Sequence, residues 1–217
     1  MIALEQTSQT SSGDRYSLYG ARTGNCFRVA IGLEEAGIEY TPIVVDLMGG
    51  EQRGHAHRSL NPMGKVPVLA VNRAGGETFV LTQSNAILLH LDQLRPGLLL
   101  PQVPDERARA LERFMFFLTD VIGPNHGAFQ LRAPNITHGI LYLENIALRG
   151  IDYSESFLRE SKFIGGSRFS LADIVAFTII NSMRDRIDWP NMPRLAKWFR
   201  EVTNRPAVVR GMNAFDL

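Results

Sequence analysis

Three short segments in the first half of the chain carry side chains that could hold an anion. The first is Arg22-Thr23-Gly24-Asn25-Cys26. If a helix starts after Thr23, the unpaired amides of its first turn and their partial positive charge favour an anion or a thiolate, with the Thr23 hydroxyl as an added donor. Thr23 can equally serve as a plain helix cap. The second segment is Asn61-Pro62-Met63-Gly64-Lys65-Val66-Pro67-Val68. Proline is tolerated in a sheet only at an edge or a strand start. A cis Val66-Pro67 bond would leave the Val66 amide and carbonyl exposed, where an extended peptide could pair with them as an added strand. Lys65 beside them could meet a carboxylate, or simply sit in solvent as surface lysines do. The third segment is Thr82-Gln83-Ser84-Asn85, where Ser84 suits a helix N-cap and a second helix start could receive an α-carboxylate. Capping by itself requires no ligand.

Other reactive residues point elsewhere. Cys26 follows Thr23 at the spacing of the second cysteine of a C-x-x-C pair, but position 23 holds no thiol, so a dithiol cycle is closed to it. It is expected as a packed residue of the first helix, where free cysteines are commonly buried. His55 and His57 lack the cysteines or clustered carboxylates of a metal set, and no metal is expected there. In Phe169-Ser170-Leu171-Ala172-Asp173-Ile174, Ser170 and Asp173 can cap one another across a helix start while Phe169 staples Ile174, which is a folding element.

Stepping along the chain, these segments need strands and helices to hold them. The expected order is a strand at 16–19, a helix at 24–36 stopped by Gly37, a strand at 40–45, a loop with a weak helix at 48–59, strands at 66–71 and 79–82 joined by a turn at 73–76, and a helix at 84–94. Prolines at 96, 101 and 104 interrupt the chain, and only helical patterns follow: 105–121, 139–149, 153–160, 170–186, 192–203 and 207–212. The division is therefore a polar tail at 1–13, an α+β domain at 14–95, a linker at 96–104 and an all-α domain at 105–217.

Composition narrows the partners. The chain has 217 residues, 45% of them hydrophobic, which suffices for a sizeable core, and a net charge of +1 that gives no pull toward nucleic acid or anionic membrane. Its single cysteine excludes an intrachain disulfide and fits a reducing compartment, the cytoplasm. The N-terminal stretch lacks the basic start and apolar core of a signal peptide, and no apolar run approaches the ~20 residues of a membrane span.

Taken together, a β-α-β then β-β-α half containing N-P-x-G-K-V-P-V-L, then Q-S-N-A-I-L-L-H-L, then helices with S-L-A-D-I, resembles the glutathione transferase superfamily over about residues 15–212. The segment from Arg22 to Arg28 resembles bacterial and fungal members that place Ser or Thr, then Asn two residues on, at the glutathione thiol, including the nu class. The resemblance implies a thioredoxin-like N-terminal domain, an all-helical C-terminal domain, glutathione as co-substrate, no metal, and a homodimer. It implies that Thr23 donates to the glutathione sulfur and that Asn25 supports it. Lys65 would lie near the glycyl end, Val66 would pair with the cysteinyl residue ahead of a cis Pro67, and Gln83 and Ser84 would take the γ-glutamyl end. Gln52 matches a glutathione-contacting glutamine of nu-class relatives. Many relatives have an acid where Gln83 stands, and nu-class members usually have proline at the place of Gly24, which leaves this loop freer. The second substrate would be a small electrophile, a peroxide or a disulfide. Its pocket is expected where the helical domain faces Thr23, with Phe114, Phe117, Leu118 and His126 as candidates, although such an apolar stripe usually forms core. A binding or regulatory module of the same fold is the non-catalytic alternative.

Overall fold

A computed structural model describes residues 13–216. Of the expected polar tail, 1–12 lie outside the described residues. Contacts divide the rest into two units, one running to Leu99 and taking back the segment from Arg210 onward, the other spanning Leu100–Val209.

The first unit is a four-stranded sheet with helices packed on it. Its elements are β1 (Arg15–Gly20), α1 (Gly24–Glu35), β2 (Tyr40–Val44), a 3-10 turn at Glu51–Arg53, α2 (His55–Leu60), β3 (Val68–Asn72), β4 (Thr78–Leu81) and α3 (Ser84–Leu94). The strand order is β2-β1-β3-β4, with β1 parallel to β2 and antiparallel to β3, and β3 antiparallel to β4. This is the βαβ-ββα arrangement of a thioredoxin-like domain. The central strands β1 and β3 carry the buried Tyr16, Leu18, Val68, Leu69 and Val71, while Pro42 sits on edge strand β2, where a missing amide donor does no harm. Gly37 has φ +61° just past α1, a left-handed residue ending the helix as its position required.

The register fixes which loops meet. Gly20 pairs with Val44, Tyr19 with Val68, and Leu69 with Leu81. The outgoing ends of β1, β2 and β4 and the incoming end of β3 therefore lie along one end of the sheet. The loops at 21–23, 45–54, 61–67 and 82–83 all leave or enter there.

The second unit is all helical: α4 (Pro104–Phe116), a π-helical turn at Phe117–Ile122, α5 (Gly123–Gln130), α6 (Thr137–Ser154), a 3-10 turn at Glu155–Leu158, α7 (Leu171–Met183), short 3-10 turns at Arg184–Arg186 and Trp189–Asn191, and α8 (Pro193–Thr203), with α9 (Pro206–Met212) running on toward the C-terminal segment. The expected single helix at 105–121 instead passes through the π turn into α5, whose Pro124 follows the junction directly. Buried residues on nearly every side of α7 make it the centre of this unit, and the Ser170–Asp173 capping box at its start is complete. Asp173 accepts from the amides of Ile164, Gly165 and Ser170, the Ser170 hydroxyl and the Trp198 indole, while burial still pushes its carboxyl up to about 6. Among the described residues, no helix is long and apolar enough to cross a membrane.

The C-terminal segment returns to the first unit. Phe215 packs over Gly20 and near Cys26, where any Cβ at position 20 would collide with the Phe215 ring, and it lies 6.4 Å from the Phe27 ring. Gly211 lies so close to α1 that a Cβ there would stand 2.6 Å from the Ile31 amide nitrogen. Arg210 pairs with Glu34 at 2.6 Å, and Arg22 pairs with Asp216.

Candidate functional site

At the end of the sheet where the loops gather, Thr23 caps α1 with extended backbone. Its Oγ1 accepts from the Cys26 amide at 3.4 Å and donates to Cys26 Sγ at 3.1 Å. Thr23 itself is half-buried, Asn25 is exposed, and Cys26 is wholly buried. Burial pushes the Cys26 thiol up, against the Thr23 hydrogen bond, the Ala21 backbone and the Arg28 charge, which pull it down. A buried, protonated thiol is a poor nucleophile, so Cys26 is a packing residue that also engages the Thr23 hydroxyl.

The second loop is pinned from inside. The Lys65 carbonyl accepts from Asn61 Nδ2 at 2.7 Å and lies 3.0 Å from His57 Nε2, while the Met63 amide donates to Asn61 Oδ1 at 3.1 Å. The Val66-Pro67 bond is cis, Pro67 is buried, Val66 is half-buried, and the Lys65 side chain is exposed. Buried His57 is thus a loop fastener, and among the described residues no group of three or more His, Cys, Asp or Glu could hold a metal ion. In the neighbouring loop, Gln52 donates to the Leu47 carbonyl at 3.4 Å, and its Oε1 is buried with no hydrogen-bond partner. A ligand donor could still be accepted there.

The third segment corrects an expectation. Ser84 is the first residue of α3 and not its cap; exposed Gln83 occupies the cap position and makes no side-chain capping bond. The buried Ser84 hydroxyl instead accepts from Arg28 Nη1 at 3.1 Å. Arg28, on α1, is a residue the sequence reading passed over. Its Nη1 also donates to Asn25 Oδ1 at 3.0 Å and to Asn85 Oδ1 at 3.2 Å, so a single guanidinium touches both helix starts. Burial lowers its pKa to about 10, which leaves it charged at neutral pH. The signal available in sequence was a charged residue three positions after Asn25, on the same helix face as Asn25 and amid the apolar run Val29 to Leu33. Neither α1 nor α3 has an acidic residue in its first turn, so both present uncancelled positive ends.

In the second unit, Phe114 and Phe117, candidates for a pocket wall in the sequence, are fully buried. The periodicity that made them an apolar stripe served packing against the other helices of the unit. Leu118 is half-buried, and exposed His126 lies with its Nε2 3.2 Å from Gln130 Nε2 and its ring stacked on Phe129.

Comparison with known proteins gives the setting for this geometry. The family model for the glutathione S-transferase N-terminal domain matches residues 15–93, and that for the C-terminal domain matches 145–206. The chain is 32% identical over 197 residues to the disulfide-bond oxidoreductase YfcG of Escherichia coli K12, covering 88% of this chain and 91% of that protein. It is similar to a glutathione transferase structure from Burkholderia graminis with two glutathione molecules bound per subunit, with TM-score 0.80 and 26% identity over 92% of this chain and 88% of the other. A glutathione transferase from Pseudomonas putida with one glutathione disulfide per subunit matches with TM-score 0.80 and 25% identity, over 91% and 90% of the two chains.

Proposed function

Since the chain belongs to the glutathione S-transferase family, we propose that it is an enzyme that binds glutathione at the gathered sheet end and uses the Thr23 hydroxyl to hold the sulfur as a thiolate for attack on a small electrophile. The observation that carries this reading is the strand register, which gathers the Thr23, Val66 and Ser84 loops, together with the guanidinium that touches both helix starts. Thr23 and the α1 amides favour the anionic sulfur, with Asn25 beside them. The Val66 backbone pairs with the cysteinyl unit, Lys65 faces the glycyl carboxylate, and Gln83 and Ser84 receive the γ-glutamyl end. Gln52 contributes a buried acceptor that is still open.

A free thiol with pKa ~8.5 is only a few per cent ionised near neutral pH, and lowering it by about two units makes it mostly thiolate. That corresponds to ~2.7 kcal/mol, within reach of one charge-assisted hydroxyl bond and a helix N-terminus. Thr23 acts by electrostatic stabilisation and forms no covalent bond. In conjugation, the sulfur lone pair makes the new bond to carbon, and the leaving group departs with its electron pair.

A second reading is disulfide reduction, favoured by the similarity to the disulfide-bond oxidoreductase of Escherichia coli and by the glutathione disulfide in the Pseudomonas putida structure. The thiolate attacks one sulfur of a disulfide and expels a thiolate; a second glutathione thiolate resolves the mixed disulfide, giving glutathione disulfide and the second thiolate. The family reading carries with it a cytoplasmic homodimer. Calorimetric titration with glutathione, followed by rates with an activated aryl halide, an organic hydroperoxide and a small disulfide for wild type and Thr23→Ala, tests the proposal. Glutathione binding with at least one Thr23-dependent rate is expected. Absence of binding defeats it, and binding with every rate unchanged in Thr23→Ala removes Thr23 from the chemistry.

A further inference from the structure

Asparagine and serine side chains are ambivalent: an amide offers an oxygen acceptor and an NH2 donor, and a hydroxyl can do either. An anionic ligand needs donors only. At this sheet end, three such side chains, Asn25, Ser84 and Asn85, direct an oxygen at Arg28 Nη1 at 3.0, 3.1 and 3.2 Å. Once Oδ1 of an asparagine faces a guanidinium, its NH2 faces the other way, and a serine oxygen that accepts still has its proton to give. Arg28 is 2% exposed, so its geometry is held by packing and not by solvent. It spans 56 residues of sequence to reach Ser84 and 57 to reach Asn85.

We propose that Arg28 is a positioning residue that sets the polarity of the glutathione site, turning Asn25, Ser84 and Asn85 into donors toward the two anionic parts of the ligand, its thiolate and its γ-glutamyl carboxylate. The inference rests on the proposed function and extends it to a residue that itself stays beneath the ligand. Lysine cannot replace the guanidinium: an ammonium is a compact point charge on a flexible stem, with donors in a different geometry from the planar fork. A positive charge at a helix N-terminus also opposes the macrodipole. Two such helix starts flank this one, which makes structure alone a poor reason for its place.

The test compares wild type and Arg28→Lys by calorimetric titration with glutathione and with S-methylglutathione, by the ultraviolet absorbance of bound thiolate against pH, and by thermal melting. Loss or distortion of two to three charge-assisted bonds should weaken both ligands by roughly tenfold or more. The bound thiol should titrate at higher pH than in wild type, because Asn25 no longer presents its NH2. Wild-type affinity for both ligands with an unchanged titration in a folded Arg28→Lys protein overturns the proposal. Failure of wild type itself to bind glutathione defeats instead the reading on which it rests. Should Arg28→Lys not fold, the cycle of Asn25→Ala, Ser84→Ala and their double variant decides, since both partners share one nitrogen. A double-variant affinity differing from the product of the single effects by about threefold or more supports the coupling, and multiplicative effects overturn it.

Discussion

Replacing Thr23 by valine keeps the volume and β-branching while removing the one atom on which the proposed chemistry rests. Two effects follow, and they separate. In the ligand-free protein, the hydroxyl accepts a long 3.4 Å capping bond from the Cys26 amide and donates at 3.1 Å to a neutral, buried sulfur. Such a cap is worth ~0.5–1 kcal/mol, so Thr23→Val should melt only about 2–4 °C lower. With glutathione bound, the same hydroxyl would turn from a weak neutral acceptor to an anionic one. A hydrogen bond to a charged group contributes ~1.5–3 kcal/mol, which raises the bound thiol pKa by about one to two units when lost. At pH 6.5 or so the thiolate population, and with it kcat/KM, should fall roughly 5- to 50-fold, while at high pH most of the rate should return as the thiol ionises unaided. Thr23→Ser should stay near wild type. The assay is the pH dependence of kcat/KM toward an aryl halide or disulfide, with bound-thiolate absorbance alongside. An unshifted pH midpoint in Thr23→Val that still binds glutathione would refute the assignment.

Two further outcomes follow from buried groups. Because burial lifts Asp173 from 3.8 to about 6, the folded protein holds a proton there that the unfolded chain has released; this stabilisation is fully present below pH 3.8 and is lost as pH rises through 6. The lost increment is about 3 kcal/mol, so urea unfolding at several pH values should show wild type losing stability across that window relative to Asp173→Asn, whose amide cannot accept from all the amides now facing the carboxylate; parallel pH profiles would exclude the coupling. Cys26 is wholly buried with its thiol pKa raised, so iodoacetamide should label the native protein at least a hundredfold more slowly than the urea-unfolded chain, and comparable rates would contradict the packing around α1.

Local signals in the sequence carried much of this architecture. Helical spacing from Phe27 to Leu33 and a glycine stop marked α1, β-branched runs marked the strands, and Ser170 with Asp173 announced the start of α7. The misread residues were those decided by distant neighbours. Ser84 looked like a cap because serine caps are common, yet Arg28, 56 residues earlier, takes its hydroxyl. Phe114 and Phe117 were legible as a stripe, but which side of a stripe meets core and which meets a ligand depends on helices not yet assembled. The helix α5 escaped notice because Gly123, Pro124, Asn125 and Gly127 disfavour helix in isolation; α5 continues directly from the π turn. Nothing local indicated that residues 210–216 rejoin the first unit.

That return has a consequence for biosynthesis. On the ribosome, β1 and α1 emerge early, while Gly211 and Phe215, which seat on Ile31 and Gly20, follow the whole helical unit in the chain. The nascent first unit must therefore wait, with the surfaces around Gly20 and Ile31 uncovered, until the whole helical unit has been made. Completion of the packing around α1 is thereby tied to synthesis of the helical unit, and a product truncated before residue 210 would expose the apolar ground beside Cys26 to chaperones and proteases.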